Sequence, residues 1–352
     1  MTDHHHHEPG HDHAHTHDHG GRGHGRGWRN LVAHLFGTHS HDQGDRIGSH
    51  LEASSAGLRA VTISLGGLGA TAALQAVVVV VSGSVALLAD TVHNFSDALT
   101  AVPLGVAFVL SRRRPTRRYT YGYGRAEDLA GIFIVAMIAL SAGVAAWQAI
   151  DRLLDPRDIH QAGWVAVAGL IGLVGNETVA VYRIRVGRRI GSAALVADGL
   201  HARTDGLTSL AVLGAALGSL AGWRLADPIV GLAISLAIIN VLRVAARDIY
   251  RRLMDAVDPN LVDDIDAQLA ASPGIRGVER IRVRWLGHRL HIDADVTLDA
   301  NLALTQAHDI LEDTRHRLLH HIPRLTDALL QASPTSDHGD PHALTRHHFA
   351  QP

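Results

Sequence analysis

Residues 86–100 read ALLADTVHNFSDALT and residues 194–208 read ALVADGLHARTDGLT, and the two stretches are identical at eight of fifteen positions. In each copy an aspartate follows a histidine by four residues, which gives the pairs His93 with Asp97 and His201 with Asp205. Because residues four apart lie on one face of an α-helix, each copy presents an imidazole beside a carboxylate. Two nitrogen and two oxygen ligands suit a tetrahedral divalent metal such as Zn²⁺.

Both pairs lie in segments that are otherwise apolar enough for a lipid bilayer. Ionisable side chains are costly inside a membrane and are functional by default, although a single one can equally serve as a polar contact between helices. Matched pairs in two related helices favour a shared metal site over independent packing contacts. The repeat therefore predicts an intramembrane metal site formed by all four residues.

The composition restricts the class of protein. Of the 352 residues, 47% are hydrophobic, and they are concentrated between polar ends, as in a membrane protein. No cysteine occurs, so a metal must be held by His, Asp, Glu or backbone oxygen. The first residues lack the apolar region of a signal peptide, so we expect the N-terminus to stay in the cytoplasm.

The two ends of the chain are polar and contain histidine. Residues 1–50 hold fourteen of the 27 histidines. With almost no apolar side chains to bury, this segment is expected to be disordered, and we favour a low-affinity metal-collecting tail, with a solvated linker as the alternative. Residues 335–352 are expected to form a second disordered tail.

Six apolar runs between the tails are each close to the roughly 20 residues that cross a hydrocarbon core. They lie at about 58–81, 84–110, 127–149, 162–183, 191–219 and 226–248, within a transmembrane domain at 57–250. Arginine is concentrated in two connections between runs, at 112–118 and 183–189, and at the end of the sixth run, at 243–252. The positive-inside rule places both termini in the cytoplasm. The pattern predicts an α-helical, multi-pass protein of a bacterial plasma membrane, with six transmembrane helices in an inverted 3+3 repeat.

Residues 255–334 are predicted to form a separate soluble domain. A helix at 260–271 is followed by a strand at 278–286, and a Gly-His turn leads to a second strand, RLHIDADVTL, whose apolar residues alternate. An amphipathic helix at about 302–321 and a third strand, LTDALLQ, complete the order αββαβ. This order fits a small ferredoxin-like module with its own core.

With these elements placed, the chain resembles the cation diffusion facilitator family of metal/proton antiporters over about residues 57–334. The motifs that carry the resemblance are GSVALLAD and GSAALVAD before the two HxxxD pairs, YGYGRAE at 121–127, ADPIVGL at 226–232, and the αββαβ tail. The resemblance implies a homodimer that exports Zn²⁺ or related ions from the cytoplasm in exchange for protons. It also implies that the four repeat residues are the transport ligands, a set that points to zinc, often with cadmium or cobalt, rather than to manganese.

The chain departs from the family's pattern in two places. Relatives often have a second metal position between the second and third helices, where this chain has Tyr119 and Tyr123, so we expect that site to be absent. Relatives with a binuclear site in the cytoplasmic domain carry a His-x-Asp pair in the last strand, where this chain has Gln331 and Ser333. We expect at most a weak site there, from the remaining candidates His308, Asp295 and Glu279. The other histidines of the domain are interpreted as surface residues: His288, His291, His316, His320 and His321.

A His/Asp site binds metal and protons competitively, because a protonated imidazole cannot hold a metal. With an unperturbed histidine pKa near ~6.5, the site can lose protons toward the cytoplasm, bind zinc, and regain protons outside. Asp90 and Asp198 repeat three residues before the histidines. They either accept hydrogen bonds from the imidazole N–H groups or act as carboxylates of the vestibule, with a role at the helix start or in helix packing as the alternative. Asn176 and Glu177 are expected to add polar lining, whereas Arg203 lies off the ligand face.

Three alternatives stay open. The same mechanism can carry Co²⁺, Cd²⁺, Fe²⁺ or Mn²⁺, because geometry and availability decide metal selectivity. A membrane metalloenzyme would need an activating base, as in HExxH, and no such motif occurs. A membrane-tethered metal store would leave the paired intramembrane residues unexplained. The sequence therefore predicts a transporter and not an enzyme, with no cofactor beyond the transported ion and no nucleic-acid partner.

Overall fold

The computed structural model describes residues 49–82, 91, 99–154, 161–223, 226–335 and 343–344. The N-terminal helical part contains α1 (Ser49–Ser82), α2 (Ala101–Ser111), α3 (Ala126–Leu154), α4 (Ala162–Ile190), α5 (Ala193–Leu220) and α6 (Ala226–Leu253). The C-terminal domain contains α7 (Pro259–Ala270), β1 (Gly277–Leu286), β2 (Arg289–Leu298), α8 (Leu304–His321) and β3 (Leu325–Pro334). The two predicted tails lie almost entirely outside the described residues.

Four of the described helices are long and apolar enough to cross a membrane, over Glu52–Ser82, Ala126–Asp151, Ala162–Ile190 and Ile229–Leu253. They match four of the six predicted runs. α2 is a shorter apolar helix at the end of the second run, and the start of that run lies outside the described residues. The fifth predicted run corresponds to α5, which has 28 residues, about 42 Å of helix. Two carboxylates of this helix, Asp198 and Asp205, are buried against neighbouring helices.

A tight turn joins α4 to α5 and sets them side by side. α4 ends at Ile190 and is capped by Gly191, whose φ of 75° is left-handed, a conformation that glycine adopts without strain. Ser192 follows, and its hydroxyl accepts a hydrogen bond from the backbone N–H of Leu195 at 3.2 Å, which caps α5. The helices then approach so closely that a side chain at Gly199 would lie 3.0 Å from the backbone nitrogen of Ile184. Small residues at such contacts are typical of packed membrane helices.

The apolar core of the helical part is shared by all six helices, α1 to α6. Phe108 of α2 is fully buried, and a side chain at Gly57 of α1 would meet its ring at 2.5 Å. Further fully buried members come from α2, α3 and α5: Leu104, Ile134, Ile138 and Leu195. This core fixes the helix that carries the second repeat against the rest of the bundle.

The C-terminal domain has the predicted αββαβ order. β1 and β2 pair antiparallel and β2 and β3 pair parallel, in the sheet order β1-β2-β3, with α8 as the crossover. Along β2 the even-numbered residues from Leu290 to Leu298 are buried and the odd-numbered ones are half-buried, so the predicted alternation is confirmed. The buried face packs on side chains of α7 and α8, namely Ile265, Leu269 and Leu318.

The β1–β2 turn, Gly287 and His288, lies directly against the start of α3. A side chain at Gly124 would lie 2.8 Å from the carbonyl oxygen of Leu286, and one at Gly287 would lie 2.7 Å from the carbonyl oxygen of Gly124. His288 is 2% exposed in this contact. The interpretation of His288 as a surface histidine is therefore wrong, because the helical part covers the turn.

Candidate metal centre

His201 and Asp205 lie one helical turn apart on α5, as their spacing predicts. Nδ1 of His201 is 3.9 Å from Oδ1 of Asp205, and the two side chains are 1% and 8% exposed. In a tetrahedral zinc site with ligand bonds of about 2.0–2.2 Å, two ligand atoms lie about 3.4 Å apart. A small side-chain rotation therefore brings both atoms to one ion. The other predicted pair, His93 and Asp97, lies outside the described residues.

Asn176 lies on α4 where that helix packs against α5. Its side chain is 4% exposed, and a side chain at Gly206 would lie 3.5 Å from the Cβ of Asn176. α4 and α5 are thus in contact at the residue that follows Asp205. The contact places Asn176 beside the residue that follows Asp205, and the role of its carboxamide as polar lining stays a prediction.

Glu177 and Arg203 pair between the same two helices. Nε of Arg203 donates to Oε2 of Glu177 at 3.1 Å, and Nη2 donates to Oε1 at 2.6 Å. The side chains are 43% and 35% exposed, so this pair lies at the edge of the bundle. The structure supplies the partner of Arg203 that the sequence did not show, and Arg203 engages both carboxylate oxygens of Glu177.

A buried ion pair lies one turn before His201. Nη1 of Arg183 on α4 is 3.0 Å from Oδ2 of Asp198 on α5, and the side chains are 1% and 0% exposed. Arg183 was placed by sequence in an arginine-rich connection, but α4 continues to Ile190 and encloses it. Asp198 therefore faces a guanidinium, which favours its packing role. Its repeat counterpart, Asp90, lies outside the described residues.

The candidate ligands of the C-terminal domain are not brought into one group. Asp295 on β2 pairs with Arg280 of β1 at 2.6 Å and, as an odd-numbered residue, faces away from the helix-covered side of the sheet. His308 is exposed on α8, and Glu279 is exposed on β1. Among the residues that the structure describes, no group of three or more His, Asp or Glu side chains has metal-binding spacing.

The positions of a second metal site between α2 and α3 are occupied by tyrosines. The rings of Tyr119 and Tyr123 lie against each other, with centroids 4.9 Å apart. The guanidinium of Arg118 lies 5.9 Å from the Tyr119 ring centroid. The absence of a metal site here stays a prediction.

Arg183 and Glu127 are among the buried charged residues that sequence reasoning missed. Glu127 ends the YGYGRAE motif, is 1% exposed and contacts His288 across 161 residues of sequence. Neither residue has a partner within reach along its own helix, so no local spacing could have revealed the contact. The one available signal was the presence of each charge at the edge of an apolar run.

Comparison with known proteins covers most of the chain. The family model described as the cation efflux transmembrane domain matches residues 61–254, and the model described as the cation efflux protein cytoplasmic domain matches residues 257–335. A probable cation efflux system protein of Mycobacterium tuberculosis is 59% identical over 314 residues, which cover 89% of this chain and 94% of the relative. The cation-efflux pump FieF of Klebsiella pneumoniae is 30% identical over 259 residues, 72% of this chain and 85% of the pump. The magnetosome protein MamB of Magnetospirillum gryphiswaldense is 24% identical over 254 residues, 72% of this chain and 86% of that protein.

Proposed function

Since this chain belongs to the cation diffusion facilitator family of cation efflux transporters, we propose that it moves Zn²⁺ out of the cytoplasm in exchange for protons. The proposed transport site is formed by His93, Asp97, His201 and Asp205. The observation that supports it most strongly is the described half of the site. There an imidazole nitrogen and a carboxylate oxygen lie 3.9 Å apart, buried in a helix of the transmembrane domain.

Competition between zinc and protons supplies the coupling. An imidazole must be neutral and a carboxylate ionised to bind a metal, so zinc binding releases protons. A site that faces a less acidic cytoplasm binds zinc, and a site that faces a more acidic exterior takes up protons and releases it. Alternating exposure of the site, by rocking of the helices that carry the two repeats, completes the cycle.

The ligand chemistry favours zinc among divalent ions. Imidazole suits Zn²⁺, whereas carboxylate and carbonyl oxygens suit Mn²⁺. With two imidazoles and two carboxylates the proposed site takes Zn²⁺ first and Cd²⁺ or Co²⁺ next. Transport of Fe²⁺ or Mn²⁺ by the same mechanism is the second candidate, since carboxylates make up half of the ligands.

We place the transporter in a bacterial plasma membrane as a homodimer, with both termini in the cytoplasm. The three arginine-rich regions support this orientation. The C-terminal domain then lies in the cytoplasm, in agreement with the family model that it matches, and pairs with the same domain of a second copy.

Transport in proteoliposomes tests the proposal. Purified protein is reconstituted in vesicles that contain a zinc indicator and a pH indicator, and Zn²⁺ is added under an imposed pH gradient. We expect zinc uptake with proton movement in the opposite direction, and loss of most uptake when a protonophore removes the gradient. A panel of Cd²⁺, Co²⁺, Fe²⁺ and Mn²⁺ ranks the ions.

Three results would count against the proposal in different ways. Zinc binding without uptake indicates a metal store. Uptake that ignores the pH gradient excludes antiport. Faster uptake of Mn²⁺ or Fe²⁺ than of Zn²⁺ excludes zinc as the preferred ion and supports the second candidate.

A further inference from the structure

Glu127, the second residue of α3, joins two parts of the molecule that are distant in sequence. It is 1% exposed. Its Oε1 accepts a hydrogen bond from Nδ1 of His288 in the β1–β2 turn at 2.5 Å, and its Oε2 accepts one from the Ser192 hydroxyl at 3.0 Å. A carboxylate offers only acceptors, so both neighbours donate. We call these three residues the Glu127 junction.

Ser192 is the N-cap residue, immediately before α5. Because its Oγ accepts from the backbone N–H of Leu195 at 3.2 Å, its own proton is left for Glu127. α5 carries His201 and Asp205 nine and thirteen residues further on, about 14 and 20 Å along the helix. A continuous helix therefore carries a displacement at the junction to the proposed ligands.

The α4–α5 turn is also held on its other side. Nη2 of Arg324, just before β3, donates to the carbonyl groups of Arg188 and Arg189 at 2.9 and 3.0 Å. Arg252 of α6 donates to the carbonyl group of Gly191. Carbonyl groups at the end of a helix have no partner inside it. A side chain of the C-terminal domain thus satisfies the last turn of α4, immediately before α5 starts.

The β1–β2 turn is held by further contacts with the helical part. Nε2 of His288 lies 3.4 Å from the Ser54 hydroxyl of α1, and both residues are buried. Nη2 of Arg289 donates to the carbonyl group of Ser111, at the end of α2, at 3.0 Å. Moving the turn away from α3 would leave buried polar groups without partners, which is costly.

We propose that Glu127 is a positioning residue that couples the C-terminal domain to α5. This inference rests on the proposed function, in which α5 carries half of the metal ligands. Alternating access requires α5 to move. Through the Glu127 junction the Ser192 end of α5 moves together with the C-terminal domain, and a variant that breaks the junction uncouples the two, so that α5 alternates more slowly. The position of the C-terminal domain thereby sets how fast the site alternates, while the ligands themselves stay intact.

The test compares Glu127→Gln, His288→Gln and the double variant in full-length protein in proteoliposomes. We expect either single variant to lower the maximal rate of zinc uptake about tenfold, in the range of ordinary coupling between sites. The zinc concentration at half-maximal rate should change by less than about twofold, because the ligands are about 14 Å or more away. The double variant should be no slower than the single variants, because the effects of substitutions within one junction do not add.

Exposed residues of the same type on α8 provide matched controls. Glu312→Gln and His316→Gln make the same chemical changes at side chains outside the junction, and both should keep the wild-type rate. The proposal is overturned if Glu127→Gln keeps the wild-type maximal rate. It is also overturned if the single effects multiply in the double variant, or if the half-maximal zinc concentration rises in step with the loss of rate.

Ser192→Gly serves as a milder perturbation if Glu127→Gln fails to fold. Glycine is tolerated at a helix N-cap almost as well as serine, so this variant mainly removes the hydrogen bond to Glu127. It should show the same loss of maximal rate, and an unchanged rate would contradict the coupling.

A readout without transport separates the two proposals. If wild-type protein shows no zinc flux, the proposed function fails. The junction can still be tested by thermal unfolding of Ser192→Gly, His288→Gln and their double variant. A double variant whose melting point falls less than the sum of the single changes supports coupling through Glu127. Additive changes overturn it, because two donors to one carboxylate should interact.

Discussion

The buried ion pair between Arg183 and Asp198 gives the sharpest prediction on stability. Arg183→Met leaves the Asp198 carboxylate without its cation, in a position where the two side chains are 1% and 0% exposed. Nε and Nη2 of Arg183 have no hydrogen-bond partner among the described residues. Asp198→Leu therefore leaves the buried guanidinium without its counter-charge. Breaking a buried pair by removing one partner costs about 3–5 kcal/mol, whereas replacing both partners by apolar side chains is often neutral or stabilising.

The contact between Arg183 and Asp198 is an ion pair without a well-aligned hydrogen bond. Nη1 and Oδ2 lie 3.0 Å apart, but neither Asp198 oxygen accepts a directed hydrogen bond from the described residues. The attraction is therefore mainly between the charges, and apolar replacement of both residues removes little directional bonding. We expect each single variant to be less stable by about 3–5 kcal/mol, and Arg183→Met with Asp198→Leu to lie within about 1 kcal/mol of wild type.

Reversible unfolding in mixed micelles measures these values as a double-mutant cycle. The exposed pair of Arg315 and Asp327, 3.0 Å apart with side chains 41% and 52% exposed, is the matched control. It should show a coupling below about 1 kcal/mol. Single variants of the buried pair that lie within about 1 kcal/mol of wild type, or a double variant as unstable as the sum of the singles, would refute the reasoning.

Three further predictions concern the ends of the chain and the C-terminal domain. Deletion of residues 2–50 should leave the rate of zinc uptake at saturating zinc nearly unchanged and lower it, if at all, at low zinc. A histidine tail can raise the local metal concentration without forming the pathway. Loss of maximal rate in a well-expressed deletion variant would contradict this. The isolated domain, residues 255–335, should bind zinc weakly in calorimetric titration, since Gln331 and Ser333 are poor zinc ligands, and tight binding of two ions would show an intact site. Burial lowers the pKa of His291, an effect that Asp327 opposes, so the unfolded domain binds more protons and the folded domain loses stability as pH falls through about 6.5. His291→Gln should reduce that loss in unfolding titrations between pH 8 and pH 5, and an identical pH profile would contradict the assignment.

Local periodicity was sufficient to predict the elements of the C-terminal domain. The first helix was expected at 260–271 and lies at Pro259–Ala270, and the apolar side chains of β2 occupy the buried face as their alternation indicates. The four long spans could be predicted because their apolar runs exceed the thickness of a bilayer. The spacing of His201 and Asp205 likewise determined that they share a helix face.

Contacts between distant segments could not be predicted in the same way. α4 was expected to end at Arg183, where the apolar run stops, yet it continues to Ile190, and Asp198 of α5 supplies a counter-charge to the buried Arg183. His288 follows a glycine in a turn, a context that favours exposure, yet Glu127 buries it. Both misses arise from polar side chains whose partners belong to other elements, so only the packed structure shows the contacts.

Zinc flux in Asp205→Ala tests the central claim most directly. The variant removes one charged ligand from the proposed four-ligand site, and Asp248→Ala removes a carboxylate of α6 whose side chain is 44% exposed. Both proteins are reconstituted at equal amounts, and zinc uptake and proton counterflow are recorded under the same pH gradient. The account predicts that Asp205→Ala elutes as folded protein but loses both fluxes, while Asp248→Ala keeps them. Wild-type flux in Asp205→Ala would contradict the assignment of the transport site.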